Sequence, residues 1–398
     1  MTGDDTETDL TRPIEQLIRR GAIHRDVYCD PAVFDREMTH IFDRTWVFLA
    51  HESEIPSPGD YKTTTIGRHP VIVNRNDEGE IGAFINRCRH RGPTVCRNEL
   101  GNAKFFRCPY HAWTYNNAGE LVGVPMPQGY GADFDKSRLG LVHVARVASY
   151  AGFIFGSMSA HGPTLEDHLG GVRKFLDAYV ATSPTGEIGV YKGYQKCVYS
   201  GNWKFQLENG VDPYHVGALH ASAVTPEALA IYRQGKGAVI AMDGHGVTDH
   251  TDWGPMPVDA SLSGGFNLVI FPNLIVLRSQ IRTVRPIAVD RTEIITSVVK
   301  LKGVDEAVNL QRMRDQEFEF GAAGTFFADD LDIFERTQQG LNSSAVDWLE
   351  FSRGLDREEM RNGYMHGFMS DETQHRGMYA NWMAMMTAAT PGIAEAAE

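Results

Sequence analysis

Cys88-Arg89-His90-Arg91-Gly92 and, after seventeen residues between His90 and the second group, Cys108-Pro109-Tyr110-His111-Ala112-Trp113 decide how this 398-residue chain is read. The spacing is Cys-x-His, a gap, then Cys-x-x-His. Two thiolates and two imidazoles suit tetrahedral zinc, or a [2Fe–2S] cluster in which two histidines replace two cysteines on one iron. Each Cys–His pair can be reached from one tight loop, and two such loops projecting from β-hairpins would pinch a cluster between them. Gly92 permits a tight turn, and Trp113 can shield one side. These features favour the cluster over a structural zinc knuckle.

The flanks fit such loops. From about Trp46 to Met158 short β-like runs alternate with turn signals: Pro70–Asn74 precedes Asn76-Asp77-Glu78-Gly79, and Phe105–Phe106 follows Gly101-Asn102. The reading is a small all-β domain over 46–160. Before it, residues 1–11 read as a disordered lead, and 12–45 show helical periodicity through Ile14, Leu17, Ile18, Phe34, Met38, Ile41 and Phe42. This makes 1–45 a helical segment packing on the domain that follows the β domain. In 161–398 the texture is mixed. Helix is expected over 164–181, 304–340 and near 345–388, and strands over 187–200 and 266–301. The fold class is therefore α+β, with a small all-β domain and a larger domain whose antiparallel sheet is covered by helices.

Whole-chain properties agree. The length suits two domains, and 42% hydrophobic residues can fill a sizeable core. Forty glycines favour a turn-rich part, and the net charge of −13 argues against a nucleic-acid binder. The acidic start, Met1 to Asp9, is no secretory signal. The most apolar stretch, Phe266 to Leu277, is too short to span a membrane and is broken by Asn267, Pro272 and Asn273. A soluble cytoplasmic protein is expected. Five cysteines make a poor disulfide framework, and Cys29, Cys96 and Cys197 read as small apolar residues.

A second constellation lies in Glu208-Asn209-Gly210-Val211-Asp212-Pro213-Tyr214-His215-Val216-Gly217-Ala218-Leu219-His220. An acid and two histidines fall within nine residues, the donor types of the two-histidine, one-carboxylate facial triad of non-heme Fe(II). Asp212 and His215 share a helical face. His215 and His220 would point about 140° apart on a regular helix, at roughly 100° per residue. Both reach one metal only if the helix is broken or has a bulge between them, and Gly217 is the weak point. A lone histidine there would read as a hydrogen-bonded core residue.

With both constellations in view, the chain resembles the large subunits of Rieske non-heme iron aromatic-ring-hydroxylating oxygenases, most of all those acting on benzoate-, salicylate- or terephthalate-like acids. The two cluster loops and the Asp212-x-x-His215-x-x-x-x-His220 motif carry the likeness. Phe271-Pro272-Asn273 and the run Arg376 to Met386 extend it. Tyr110 stands where the respiratory type has a disulfide cysteine, so the likeness is to the lower-potential oxygenase type.

The resemblance implies that Cys88, His90, Cys108 and His111 hold the [2Fe–2S] cluster and that His215 and His220 bind a mononuclear Fe(II). It implies that Asp212 is no ligand but bridges an iron histidine to a cluster histidine of the neighbouring subunit. The third ligand then comes from Gly324-Thr325-Phe326-Phe327-Ala328-Asp329-Asp330, as Asp330, with Asp329 the competitor and otherwise a helix-capping acid. O2 is the co-substrate. Electrons come from NADH through a separate ferredoxin or flavin reductase, since no dinucleotide-binding glycine fingerprint is present. A homotrimer is implied, with or without a small β subunit. Asn209, Val211, Ala218, Leu219, Phe320 and Phe326 are pocket candidates by proximity, each equally readable as core. A buried cation should meet a substrate carboxylate, and Arg282 or Arg278 is the candidate. The alternatives are a Rieske monooxygenase that demethylates or cleaves a quaternary ammonium compound, and a non-catalytic iron–sulfur carrier.

Overall fold

The computed structural model describes residues 10–224, 226, 230, 237–251 and 265–388. The lead expected at 1–11 lies outside them as far as residue 9. The chain divides into two compact units, one formed by Phe42–Leu165 and one by the segments up to Ile41 and from Glu166 onward.

The smaller unit is all β. One sheet orders Ile81–Ile85, His69–Arg75, Asp60–Ile66 and Leu100–Asn102. A second orders Arg146–Tyr150, Phe153–Ser157 and Val47–His51, and a third Leu121–Gly123, Thr114–Asn116 and Phe105–Arg107. The run Val71-Ile72-Val73 is wholly buried, as a strand covered on both faces requires. Phe84, Phe106, Trp113, Tyr115 and Leu121 pack in one cluster with Cys88 and Cys108. The cluster loops thus leave their strands from the core of the unit.

The larger unit is built on a ten-stranded antiparallel sheet. Its central path runs Arg291–Leu301, Gln280–Ala288, Leu274–Leu277, Phe266–Ile270, His245–Asp249, Ala238–Met242 and Tyr364–Phe368. The helices Lys204–Gly210, Glu306–Phe320, Phe327–Leu341 and Thr373–Thr387 accompany it. Gly210 marks a close approach: a Cβ there would stand 3.1 Å from Ile275 and 3.2 Å from Val269, so the helix that leads into the histidines ends directly on the sheet. Among the described residues no helix is long and apolar enough to cross a membrane.

Two local expectations change. The stretch 345–388 is helical only at Thr373–Thr387. Before that helix come the strands Trp348–Glu350, Glu359–Arg361 and Tyr364–Phe368. Asn362 and Gly363 between the last two have φ of 50° and 84°, the left-handed pair of a two-residue hairpin turn. Asp243-Gly244, at 52° and 84°, turns the hairpin of Ala238–Met242 and His245–Asp249 in the same way. Residues 12–45 are also less helical than their periodicity suggests. Ile18–Arg19 and Ala22–His24 pair as strands, and Trp348–Glu350 completes their sheet.

Candidate metal centres

In the smaller unit the two loops are near copies. Cys88 N–H donates to Pro93 O at 2.9 Å and Gly92 N–H returns to Cys88 O at 3.0 Å. In the second loop Cys108 N–H donates to Trp113 O at 2.8 Å and Ala112 N–H to Cys108 O at 3.0 Å. The fourth residue after each cysteine is left-handed, Gly92 at φ 82° and Ala112 at φ 58°. Each turn folds a cysteine and a histidine onto one side. The sulfurs are buried, and the rings of His90 and His111 are 4.7 Å apart. Trp113 stacks on His90 at 4.9 Å. Tyr115 hydroxyl accepts from Arg89 N–H at 3.0 Å and lies 3.3 Å from Cys88 Sγ. Asn86 pins the return of the first loop, accepting from Val95 and Cys96 N–H and donating to Cys96 O.

His90 Nδ1 and His111 Nδ1 are buried and have no hydrogen-bond partner. Buried polar atoms are seldom left so. Burial also pushes the Cys108 thiol up, a cost that a bound cationic centre removes by taking the thiolate. Two sulfurs and two unpartnered ring nitrogens fit a mixed-ligand [2Fe–2S] cluster.

In the larger unit His215, His220 and Asp330 each offer an atom within 4.8 Å of the others. The way they meet differs from expectation. The helix does not break at Gly217. It stops at Gly210, and Val211 to Tyr214 form a turn in which Asp212 Oδ1 accepts from Tyr214 N–H at 2.8 Å. A new helix, Val216–Leu219, then begins with His215 at its N-cap and His220 at its C-cap. The histidines flank one helical turn, and both present Nε2 to Asp330 Oδ1, at 3.7 and 3.2 Å. Asn209 Nδ2 donates to the same oxygen at 2.9 Å.

The outer nitrogens are held by acids. His215 Nδ1 donates to Asp212 Oδ2 at 3.3 Å, and His220 Nδ1 to Asp329 Oδ2 at 3.2 Å. Such bonds fix the tautomer and leave each Nε2 lone pair facing inward. Asp329 is therefore a first-turn acid and not the cap itself. Phe326 is the N-cap of Phe327–Leu341, and Asp329 turns to His220 while Asp330, 2% exposed, turns inward. Burial opposes charge on Asp212, but the His215 hydrogen bond, with the charges of His375 and His215, outweighs it and keeps the carboxyl below its ordinary range. Burial likewise opposes charge on His215, and Asp212 and Asp330 outweigh it, so its pKa is raised. Two imidazoles and a buried carboxylate fit Fe(II), whose binding would displace any proton from the inward nitrogens.

The pocket candidates fall in different places. Asn209, Ala218 and Leu219 line a groove of about 480 Å³ together with Asp212, His215 and Glu208. Val211 is core: it is 1% exposed, and its carbonyl accepts from Thr248 and Gln374. Phe326 lies edge-on to His220 at 4.8 Å and Phe320 is 5.5 Å from Phe326. Arg282 sits over Phe320 at 4.9 Å. Arg278 is ion-paired with Glu319.

A buried polar knot anchors the helix Lys204–Gly210. Lys204 Nζ meets Glu37 Oε1 at 2.6 Å, and the indoles of Trp203 and Trp382 donate to Glu37 at 2.7 and 2.8 Å. A pair this buried fixes register more than it stabilises. Tyr28 and Tyr379 hydroxyls donate to Glu208, whose burial pushes its pKa up to about 7 against those two bonds. Glu37, Glu208 and Asn86 carry no spacing signal, because their partners lie far away in sequence or on the backbone.

Against known proteins, the Rieske [2Fe–2S] domain family matches residues 45–150. The ring-hydroxylating alpha subunit catalytic domain family matches residues 189–388. The 2-halobenzoate 1,2-dioxygenase large subunit of Burkholderia cepacia is 36% identical over 376 residues, 83% of this chain and 79% of that protein. The anthranilate 1,2-dioxygenase large subunit of Acinetobacter baylyi is 34% identical over 427 residues, 93% of this chain and 89% of that protein. The structure of naphthalene 1,2-dioxygenase with indole bound in its active site matches at a TM-score of 0.84 and 30% identity, covering 94% of each chain.

Proposed function

The chain belongs to the ring-hydroxylating oxygenase alpha subunits, with a Rieske cluster and a mononuclear iron as cofactors, and from that premise we propose that it dihydroxylates an aromatic carboxylic acid. The observation that carries this reading is the convergence of His215, His220 and Asp330 in a chain that also has the Cys88, His90, Cys108 and His111 loops. Those four residues would hold the cluster, and the first three would hold the iron. Bound there, the two groups would supply single-electron storage and the activation of O2.

The chain's own residues do the rest. Asp212 and Asp329 keep the iron histidines oriented, each through one Nδ1–H bond. Phe320 and Phe326 keep water from the His220 side. Asp212 stands in the groove beside His215, where a partner subunit's cluster loop would meet it in a trimer, with or without a small β subunit. A separate ferredoxin or flavin reductase brings electrons from NADH in the cytoplasm. The aromatic acid follows from the halobenzoate and anthranilate relatives, whose substrates share a ring carboxylate.

Two measurements test this. Metal and sulfide analysis should give about three irons per chain, against about two for a carrier lacking the second site. Turnover of an aromatic-acid panel under ¹⁸O2, with a surrogate reductase, should place both labelled atoms in one product. A single labelled atom would make the enzyme a monooxygenase, and no oxygenated product from any acid would overturn the substrate class.

A further inference from the structure

Arg282 is a buried cation. It is 1% exposed, and among the described residues no carboxylate lies within ion-pair distance of it. Its Nε donates to Gln280 Oε1 at 3.0 Å, while its Nη2 has no partner among the described residues. Gln280 is fully buried, and its Nε2 is also unpartnered. Gln316 is 3% exposed with both amide atoms unpartnered. It lies on the buried face of Glu306–Phe320, one turn before Phe320. Buried charge is normally paired, and unpartnered polar atoms normally find a partner. Here the Arg282 and Gln280 atoms lie side by side, and Gln316 is one turn from Phe320, the ring under the guanidinium.

The place is beside the iron ligands. Gln280 and Arg282 are two apart on a strand and so share a sheet face. Ile275 is the cross-strand partner of Arg282, and Gly210 of the helix leading to His215 sits on Ile275. The guanidinium lies over the Phe320 ring at 4.9 Å and the Phe327 ring at 5.4 Å, and Phe327 is three residues before Asp330. Burial pushes the Arg282 pKa down to about 10, with Asp330 pulling it back, so the group stays charged at neutral pH. Arg278, the other candidate, is already neutralised by Glu319.

We propose that Arg282, with the Gln280 amide beside it, binds the substrate's carboxylate and so selects aromatic acids over neutral aromatics. The proposal rests on the aromatic-acid reading above. A guanidinium fork matches a carboxylate. The Phe320 and Phe327 rings flank it, and Nη2 is the atom left to donate to the substrate.

The test is calorimetric binding of benzoate and of benzamide, its neutral isostere, to the holoenzyme, with iron content checked in each variant. The wild type should bind benzoate about 30-fold or more tightly than benzamide. Arg282→Gln should abolish that preference while leaving benzamide affinity and iron content unchanged. Arg282→Lys keeps the charge without the fork and should retain part of the preference, which provides a readout if the Gln variant does not fold. A wild type with no preference for benzoate overturns both the aromatic-acid reading and the proposal. A wild type that prefers benzoate, with the preference intact in Arg282→Gln, leaves that reading standing and removes Arg282 from it. Equal loss of both ligands in Arg282→Gln assigns the arginine to structure and also overturns the proposal.

Discussion

The cluster loops and the histidine–carboxylate site hold their donors by different means. Each loop is a backbone turn closed on itself, with a cysteine N–H bonded five residues ahead and a left-handed residue at the fourth position. The donors of one loop lie two or three residues apart. In the larger unit His215 and His220 bracket a four-residue helix, and Asp330 arrives on a helix 110 residues beyond His220. There the outer histidine nitrogens are held by Asp212 and Asp329. Local turns can place a cluster with little help. A three-donor site drawn from separate elements needs the sheet, the Glu37–Lys204 knot and two orienting acids to bring it together.

The comparison sharpens first at Asp212. Asp212→Asn keeps the shape and removes the charge, so cluster and iron should both remain while turnover falls by about 100-fold or more. Single-turnover experiments with a pre-reduced cluster read this directly. Reoxidation and product yield equal to wild type would show that Asp212 does not link the two regions across subunits.

Asp329→Ala comes next. It frees His220 Nδ1 and leaves Asp330 in place, so iron affinity should weaken by about 10–100-fold without being abolished. Iron titration of the apo variant measures it. Unchanged affinity would mean that the 3.2 Å contact to His220 does not orient the ligand.

The last test lies in the loops and is read as a potential. His90→Cys puts a thiolate where a neutral imidazole stands, so the cluster should persist at a potential lower by about 0.1–0.3 V. Voltammetry with absorption spectra checks it, and an unshifted potential would remove His90 from the donor set.

What could be read from sequence follows the same division. Both cluster loops are legible because donors, glycine and tryptophan are contiguous. The pairing of His215 with His220 is legible too, but the break is not where Gly217 suggests. Asp212 takes Tyr214 N–H into a turn around Pro213, which cannot donate to a helix, and the chain restarts at His215. Asp329 and Asp330 look alike in sequence. Their roles separate only through the pitch of Phe327–Leu341, which turns one inward and the other to the far side of His220. The helical spacing of 345–370 misleads for a different reason. Asn362-Gly363 is a hairpin signal of two residues, and it outranks apolar periodicity once a sheet edge is present to pair with. Arg282 shows as a candidate on its strand, but only its burial without an ion-paired acid among the described residues separates it from Arg278.

The independence of the two regions is tested most directly by metal analysis of Asp330→Ala. The variant should retain about two irons and two sulfides per chain, with an unaltered cluster spectrum, against about three irons in the wild type. Retention of the third iron, or loss of the cluster with it, would contradict the separation of the two sites and the assignment of Asp330.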